Sequence, residues 1–438
     1  MSVGDSVHVR SAFEGKRLTV TEHLGVSSFW FGSNVLWSAF LALVLPYEIG
    51  LIKPEDKAVY LGRLLAIGAI FALAVPLLVG PLSDRCRSKW GRRRPYIAAG
   101  LVLTMIGLPL MYFAAKSLSF PLYLAGYLVI QLGNNISTGA YSGVIPDVVP
   151  PDQRGIASGF MGFMSQFGSA LGLAVCALLL LNKQIAAVYG FLFVALALSG
   201  LWTLLAVKEH PLEGELAPFS WKSYLKSLWI DPRKFPDFAW VWLTRALVML
   251  GFYSVQPWLF YYLQDVVGIH DKVEFYALIL FVSVLVAASI TGIYGGHVSE
   301  RAGRKRVVYL ANSLMAVTAI LFALVRSFPA VVVVGVIFGL GYGAYVSVDW
   351  ALGTDVLPSK KDAGKDMAVW HIAMTLPQTI APPIAGLALA AFGKTQSVGP
   401  KGDLVTHYAV PGYVAIFLAA AVFLTLGAVG LRNVRGVR

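Results

Sequence analysis

The chain has 438 residues, of which 57% are hydrophobic and 13% charged, and it carries a formal net charge of +12. About a quarter of a soluble globular chain is charged, so this composition, with a mean hydropathy of +0.71, excludes a water-exposed globular fold. The basic residues sit in short loops between apolar segments, which excludes a nucleic-acid surface as the source of the charge.

The polar stretch 1–26 lacks a short apolar core followed by a cleavage site, so no cleavable signal peptide is expected and the first apolar helix serves as the insertion signal. The apolar runs that follow are long enough to cross about 30 Å of hydrocarbon as helix. They do not alternate polar with apolar, as barrel strands do. The expectation is an all-α membrane protein with twelve transmembrane helices. They run near 27–50, 60–82, 95–115, 120–146, 155–181, 185–207, 237–264, 272–296, 304–326, 329–357, 366–392 and 408–431.

Span one carries Asn34 and Trp37 and closes on Pro46, Tyr47 and Glu48. Arg63 opens span two on the same side, so Glu48 is either a proton-coupling acid or half of a peripheral pair with Arg63. Residues 80–94 read GPLSDRCRSKWGRRR and contain Asp84, Arg85, Gly91 and Arg92. Cys86 lies in this charged loop and Cys176 inside apolar span five, so a disulfide framework is not expected. Span four brings Gln131, Asn134, Asn135 and Tyr141, and the loop after it brings Asp147 and Arg154.

The connection 208–236 spaces Trp221, Tyr224, Leu225 and Leu228 along one helical face, with Lys222 and Lys226 beside it. That pattern predicts a short helix lying on the membrane surface, or a simple tether between two halves. Span seven carries Arg245, Tyr253, Gln256 and Trp258. Residues 296–306 read GHVSERAGRKR and contain Glu300, Arg301, Gly303 and Arg304. Span ten carries Tyr345, Asp349 and Trp350, and span eleven carries His371 and Gln378. Arg245 lies eight residues after Asp237, and Asp349 nine residues before Pro358. At about 1.5 Å per residue both sit roughly 12–13 Å from the same membrane edge, so they are candidate partners.

The two halves repeat. At an offset of 208, Gly133 matches Gly341, Asp147 matches Asp355 and Pro150 matches Pro358. Both loops after the second span of a half read Gly, then Ser-acid-Arg, then Gly and a basic cluster. Two matches in register argue for duplication. The expected organisation is a segment 1–26, a six-helix half 27–207, the linker 208–236, a second half 237–431 and a tail 432–438. Lys and Arg concentrate in the loops on the side of the termini, which predicts that both termini are cytoplasmic.

The pattern G-x-x-S-D-R…G-R-R-R at 80–94 resembles the signature loop of the major facilitator superfamily. Its longer form, from Ser83 to Pro95, and the Pro46-Tyr47 pair resemble the sucrose/proton symporters and the glycoside–pentoside–hexuronide:cation symporters. The resemblance implies a major facilitator fold whose spans one, four, seven and ten line a central cavity. It implies that Asp84 and Glu300 support one facing arrangement by meeting a helix N-terminus and Arg. Arg85, Gly91, Arg92, Asp147, Arg154, Arg301, Gly303 and Arg304 would join them as gating residues, while much of the charge at Arg92, Arg93, Arg94, Lys305 and Arg306 would set topology. Asn34, Trp37, Gln131, Asn134, Asn135, Tyr141, Tyr253, Gln256, Trp350 and Gln378 would be substrate-binding, since amides and aromatic faces suit a sugar. The same amides can instead bridge helices. Asp349, Arg245, Glu48 and His371 would be coupling residues. The Asp349–Arg245 pair is then a substrate-gated switch, part of a proton relay, or a static ion pair.

The resemblance thus implies a secondary active transporter working by alternating access. Its expected task is proton- or cation-coupled symport of a glycoside or similar small polar solute, the alternative being an exporter or facilitator of another small organic molecule. Its expected partners are that solute, a co-transported proton or sodium ion and membrane lipids, with no nucleic acid, cofactor or metal. It is expected as a monomer in the cell (inner) membrane. An enzyme is not expected, because the seven histidines are scattered and no ligand or nucleophile grouping falls within a span.

Overall fold

Prolines and polar caps fix where the helices begin. Thr19 and Glu22 form a reciprocal capping box that starts α1 (Val20–Ala39). Pro236 lies in the first turn of α10 (Pro236–Val255), where a missing N–H costs nothing. The computed structural model describes residues 13, 16–209, 211, 219–358, 363–398 and 404–435. Most of the expected segment 1–26, residues 212–218 of the linker and 436–438 of the tail lie outside the described residues.

The remaining long helices are α3 (Lys57–Asp84), α4 (Arg94–Lys116), α5 (Phe120–Tyr141), α7 (Arg154–Leu181), α8 (Ile185–Ala206), α12 (Val273–Ala302), α13 (Arg304–Leu324), α14 (Phe328–Asp355), α15 (Ala363–Ala391) and α16 (Val410–Gly430). Short helices are α2 (Leu45–Ile52), α6 (Val144–Val148), α9 (Trp221–Ser227) and α11 (Leu259–Asp265). Among the described residues, eleven helical segments are long and apolar enough to cross a membrane. Helix α5 is 22 residues long but carries Gln131, Asn134 and Asn135, and is not among those eleven.

Two long segments break at prolines in corresponding places of the repeat. Between α1 and α2 the chain makes a π-helical turn, Phe40–Val44, just before Pro46. Between α10 and α11 it makes a 3-10 turn, Gln256–Trp258, that contains Pro257. Proline donates no backbone hydrogen bond and crowds the preceding turn, so the helix rewinds locally.

The chain forms two compact units. One comprises residues up to Phe40 together with Ile70–Phe219, and the other comprises Leu41–Ala69 together with Ser220–Arg438. The division falls in the π-helical turn, so it does not follow the repeat: the end of span one and the start of span two pack with the second unit. In the first unit α7 lies close along α1. A side chain at Gly168 or Gly172 would come within 2.4 Å of the carbonyl of Phe31 or Val35, so glycine is what permits this approach. The apolar core of this unit gathers Val26, Phe29, Ile97, Tyr141 and Val144. That of the second gathers Phe238, Met249, Met315, Tyr345 and Trp370.

One element departs from the all-helical expectation. An antiparallel ribbon pairs β1 (Lys394–Val398) with β2 (Leu404–Tyr408), from Lys394 opposite Tyr408 to Val398 opposite Leu404. It connects α15 to α16. In the linker, α9 occupies Trp221–Ser227 and is capped by Ser220, whose hydroxyl accepts from the Ser223 amide. Trp221, Leu225 and nearby Trp229 are exposed.

Candidate functional site

In the first unit, α1 and α5 bring polar side chains together. Asn134 Oδ1 accepts from Trp37 Nε1 at 2.8 Å and from Ser33 Oγ at 3.1 Å. Its Nδ2 donates to no described residue. Asn135 Nδ2 donates to Gln131 Oε1 at 2.9 Å, and Gln131 Nε2 donates to the Tyr127 hydroxyl at 2.8 Å. The Trp37 ring meets Tyr127 edge-on. Asn34 Nδ2 donates to Trp30 O, and Asn34 Oδ1 accepts from Ser169 Oγ at 3.5 Å. Asn134 is buried, while Asn34, Trp37 and Asn135 keep partial exposure. Tyr141 stands apart from this cluster: it is 2% exposed, its hydroxyl donates to Val26 O, and its ring packs on Phe29 and Trp30. Both its polar and its apolar parts join α5 to α1.

In the second unit, Arg245 of α10 and Asp349 of α14 form an ion pair through Nη1 and Oδ2, and both are buried. The Tyr345 hydroxyl, one helical turn before, donates to Asp349 Oδ1 at 3.0 Å. The guanidinium lies over the Trp370 ring at 4.8 Å and near Trp350 at 5.9 Å. A cation is attracted to an aromatic face, so the charge is held on one side by a carboxylate and on the other by an indole. Trp350 is half exposed, and His371 of the next helix is exposed. Tyr253 lies within electrostatic reach of Arg245, about two turns further along α10. Gln256 borders an apolar cavity with Phe252, Phe281, Phe322 and Phe338, while the Tyr253 ring packs edge-on against Phe252. Gln378 is half-buried in α15. Glu48 is buried in α2, and the Arg63 guanidinium stacks on Tyr60.

The charged loops form a third assembly. Gly91, at φ +97°, turns the chain into α4. The next two residues, Arg92 and Arg93, both bind the Asp147 carboxylate, Arg93 through Nε at 2.8 Å. Arg93 also pairs with Asp84 and donates from Nη1 to Ser83 Oγ at 2.6 Å. Arg93, expected chiefly to set topology, is therefore the hub, with Asp84, Ser83 and Asp147 all on its guanidinium. Gly143 makes room for it, since a Cβ there would meet the guanidinium at 2.3–2.7 Å. Arg154 donates to the Pro146 and Val149 carbonyls. Arg85 lies over the Phe219 ring.

The repeat reproduces this turn. Gly303 has φ +91°, and the residue after it, Arg304, pairs with Asp355, the repeat mate of Asp147. Arg304 also donates to Ala351 O at 2.8 Å, while Lys305 donates to Val434 O. Arg301 is exposed at the end of α12. The Glu300 side chain lies outside the described residues.

Sequence reading missed Glu209. Its Oε2 accepts from the Arg93 and Arg94 amides at 2.9 and 3.4 Å, capping the N-terminus of α4 from the far side of the unit's sequence. Burial holds this carboxyl above the ordinary glutamate range, against the opposing pull of the two amides. A lone acid three residues past a span gives no local signal of such a partner.

Buried charge between long apolar helices, and a duplicated arginine–acid turn at their ends, define a membrane transporter of the two-repeat kind. Sequence comparison makes the assignment definite: residues 23–358 and 273–436 match the Major Facilitator Superfamily, and the chain belongs to it. The sucrose transport protein SUC4 of Arabidopsis thaliana is 30% identical over 168 residues, covering 34% of this chain and 32% of that protein. SUC3 of the same plant is 27% identical over 190 residues, covering 39% and 30%. The chain thus spans about a third of the length of these relatives. The solved structure of a bacterial homolog of the human lysosomal transporter Spinster superposes with a TM-score of 0.69 at 17% identity, covering 95% of this chain and 98% of that one. The nucleoside transporter NupG gives 0.66 at 15%, covering 95% and 99%. At such identities the likeness speaks to fold alone. The family is one of transporters, not enzymes.

Proposed function

We propose that the chain is a secondary active transporter that couples uptake of a glycoside or similar small polar solute to a proton or another cation, by alternating access. The observation that carries this reading is the buried Arg245–Asp349 pair. A buried pair is costly to keep unless both charges stay matched. A solute hydroxyl, or a proton on Asp349, that loosens the pair would bias one state of the transporter over the other. Trp37, Asn134, Asn135 and Gln131 would supply an aromatic face and amide donors, among them Asn134 Nδ2, which donates to no described residue. Similarity to sucrose transport proteins supports a sugar as the solute. In this reading α5 is the twelfth span, its amides facing a polar path. The termini are cytoplasmic, the membrane is the cell (inner) membrane, and the working unit is the monomer.

The test is uptake of labelled sucrose, maltose and a pentoside into proteoliposomes, with and without an inward proton gradient. Gradient-driven accumulation that disappears in Asp349→Asn supports proton-coupled glycoside symport. Accumulation that follows a sodium gradient instead moves the coupling to sodium. Absence of sugar uptake by folded protein rejects the glycoside and leaves an exporter or facilitator of another solute.

A further inference from the structure

A second buried ion pair lies in the second unit. Asp265, the last residue of α11, has a fully buried side chain, and Lys57, the first residue of α3, has a side chain 5% exposed. Lys57 Nζ is 3.7 Å from Asp265 Oδ1 and stands over the Tyr261 ring at 4.5 Å. Asp265 has three more partners. Its Oδ1 is 3.1 Å from His407 Nδ1, and its Oδ2 accepts from the Tyr408 amide at 3.1 Å and the Tyr413 hydroxyl at 2.6 Å. Two further bonds run beside the pair. The Ala58 amide donates to the Tyr408 hydroxyl at 3.0 Å, and the Tyr261 hydroxyl donates to Pro46 O at 2.9 Å. Burial pushes the Tyr408 phenol up to about 12, so it accepts this bond as a neutral group. At the exposed rim Lys394 Nζ reaches Asp56 at 2.6 Å, a pair that solvent screening leaves of little weight.

The partition of these bonds is uneven. Lys57, Ala58 and Pro46 belong to the segment Leu41–Ala69, which the repeat assigns to the first half although it packs with the second unit. Among the described residues, the hydrogen-bond partners of Asp265 lie after residue 400, in β2 or α16. If the segment departs, the carboxylate keeps its imidazole, amide and phenol contacts, and of the two charges only the ammonium moves to water at a helix end; the Ala58 and Pro46 bonds open with it. A pair in which one charge stays solvated by fixed donors and the other leaves for water can open and close repeatedly without stranding either charge.

We propose that Lys57 and Asp265 form a latch that holds Leu41–Ala69 against α11 and the β1–β2 ribbon, and that this latch opens in each transport cycle. The cycle rests on the alternating-access reading; the latch itself does not depend on which solute is carried. Gly62 and Gly386 fit this role, since they let the segment touch α15 backbone to backbone: a Cβ on Gly62 would meet Pro383 Cα at 3.0 Å, and one on Gly386 would meet Ala58 O at 2.7 Å.

The test reads the segment directly, in detergent, without transport. Leu61, 1% exposed in the same segment, is replaced by cysteine in a chain lacking Cys86 (Cys86→Ser) but retaining Cys176, a buried thiol of the other unit. Its rate of labelling by a polar maleimide is then measured. Asp265→Asn leaves Lys57 without its charge partner and is expected to raise labelling of Leu61→Cys at least tenfold, with Cys176 unchanged. Adding Lys57→Met removes the stranded charge and is expected to return the rate to within about threefold of the parent. Unchanged labelling in folded Asp265→Asn overturns the latch. So does an equal rise at Cys176, which would mean a general loosening. Failure of sugar uptake with these labelling results intact rejects the solute and leaves the latch standing.

Discussion

At the scale of single residues, Asn134 and the Arg245–Asp349 pair make the sharpest demands. Asn134 Oδ1 serves two donors, so Asn134→Ala leaves Trp37 Nε1 and Ser33 Oγ without their acceptor. A lost hydrogen bond contributes about 1 kcal/mol and an orphaned buried group about 1–3. We expect a lowered melting temperature and, if Nδ2 also holds the solute, a KM about tenfold higher with maximal uptake little changed. Uptake kinetics beside a melting curve check both. For the pair, removing one partner of a buried ion pair costs about 3–5 kcal/mol, whereas removing both costs far less. Arg245→Gln and Asp349→Asn should each lower stability sharply, and the double variant should regain most of it. A static ion pair would also regain full coupled uptake in the double variant; a switch or relay would stay uncoupled. Depth counted along two helices was enough to suggest this pairing. Arg93 was less legible. In a run of three arginines nothing local distinguishes the middle one; only the absence of a side chain at Gly143, fifty residues on, makes room for its guanidinium.

At the scale of elements, the loop between α3 and α4 stands on a backbone that only glycine adopts comfortably. Gly91 has φ +97°, and a Cβ there would come within 2.5 Å of the Glu209 side chain. A non-glycine residue in such a region costs about 1–3 kcal/mol before any clash. Gly91→Ala should therefore destabilise the protein more than Gly155→Ala, where a Cβ would meet nothing within 4 Å beyond its own helix backbone and chain neighbours; paired melting curves decide it. Glu209 gives the same loop a dependence on pH. Burial raises its carboxyl, so the folded state binds the proton more tightly than the unfolded state. Stability from this group is present at low pH and is lost as pH rises through the window above 4.5. Glu209→Gln, which keeps an acceptor for the Arg93 and Arg94 amides but cannot ionise, should melt with the parent near pH 4 and above it near pH 7. A difference that shrinks as pH rises would contradict the buried-acid account. The helices of this region were readable from their apolar runs. The ribbon after α15 was not: KTQSV has no apolar alternation, and its strand character comes from pairing with β2.

At the scale of the whole molecule, duplication was the strongest signal, because repeated glycine, acid and proline positions need no energy calculation to be seen. What it could not reveal is that the compact units divide within the π-helical turn at Phe40–Leu41. That division follows from a break at Pro46 and from contacts made by residues two hundred or more positions away. Orientation remains the largest physical claim that sequence alone makes, and a native thiol can test it. Cys86 lies at intermediate exposure beside the Arg92–Asp147 turn, whereas Cys176 is buried within α7. Lys and Arg are held on the cytoplasmic side during insertion, and the turn that bears Cys86 is among the most basic in the chain. A thiol reagent that cannot cross membranes should therefore leave the protein unlabelled in intact cells and label Cys86 in inside-out vesicles, with Cys86→Ser abolishing the signal. Labelling of intact cells at Cys86 would invert the topology. The Asp84–Arg93–Asp147 cluster would then face the outside, and the Lys57–Asp265 pair would face the cytoplasm.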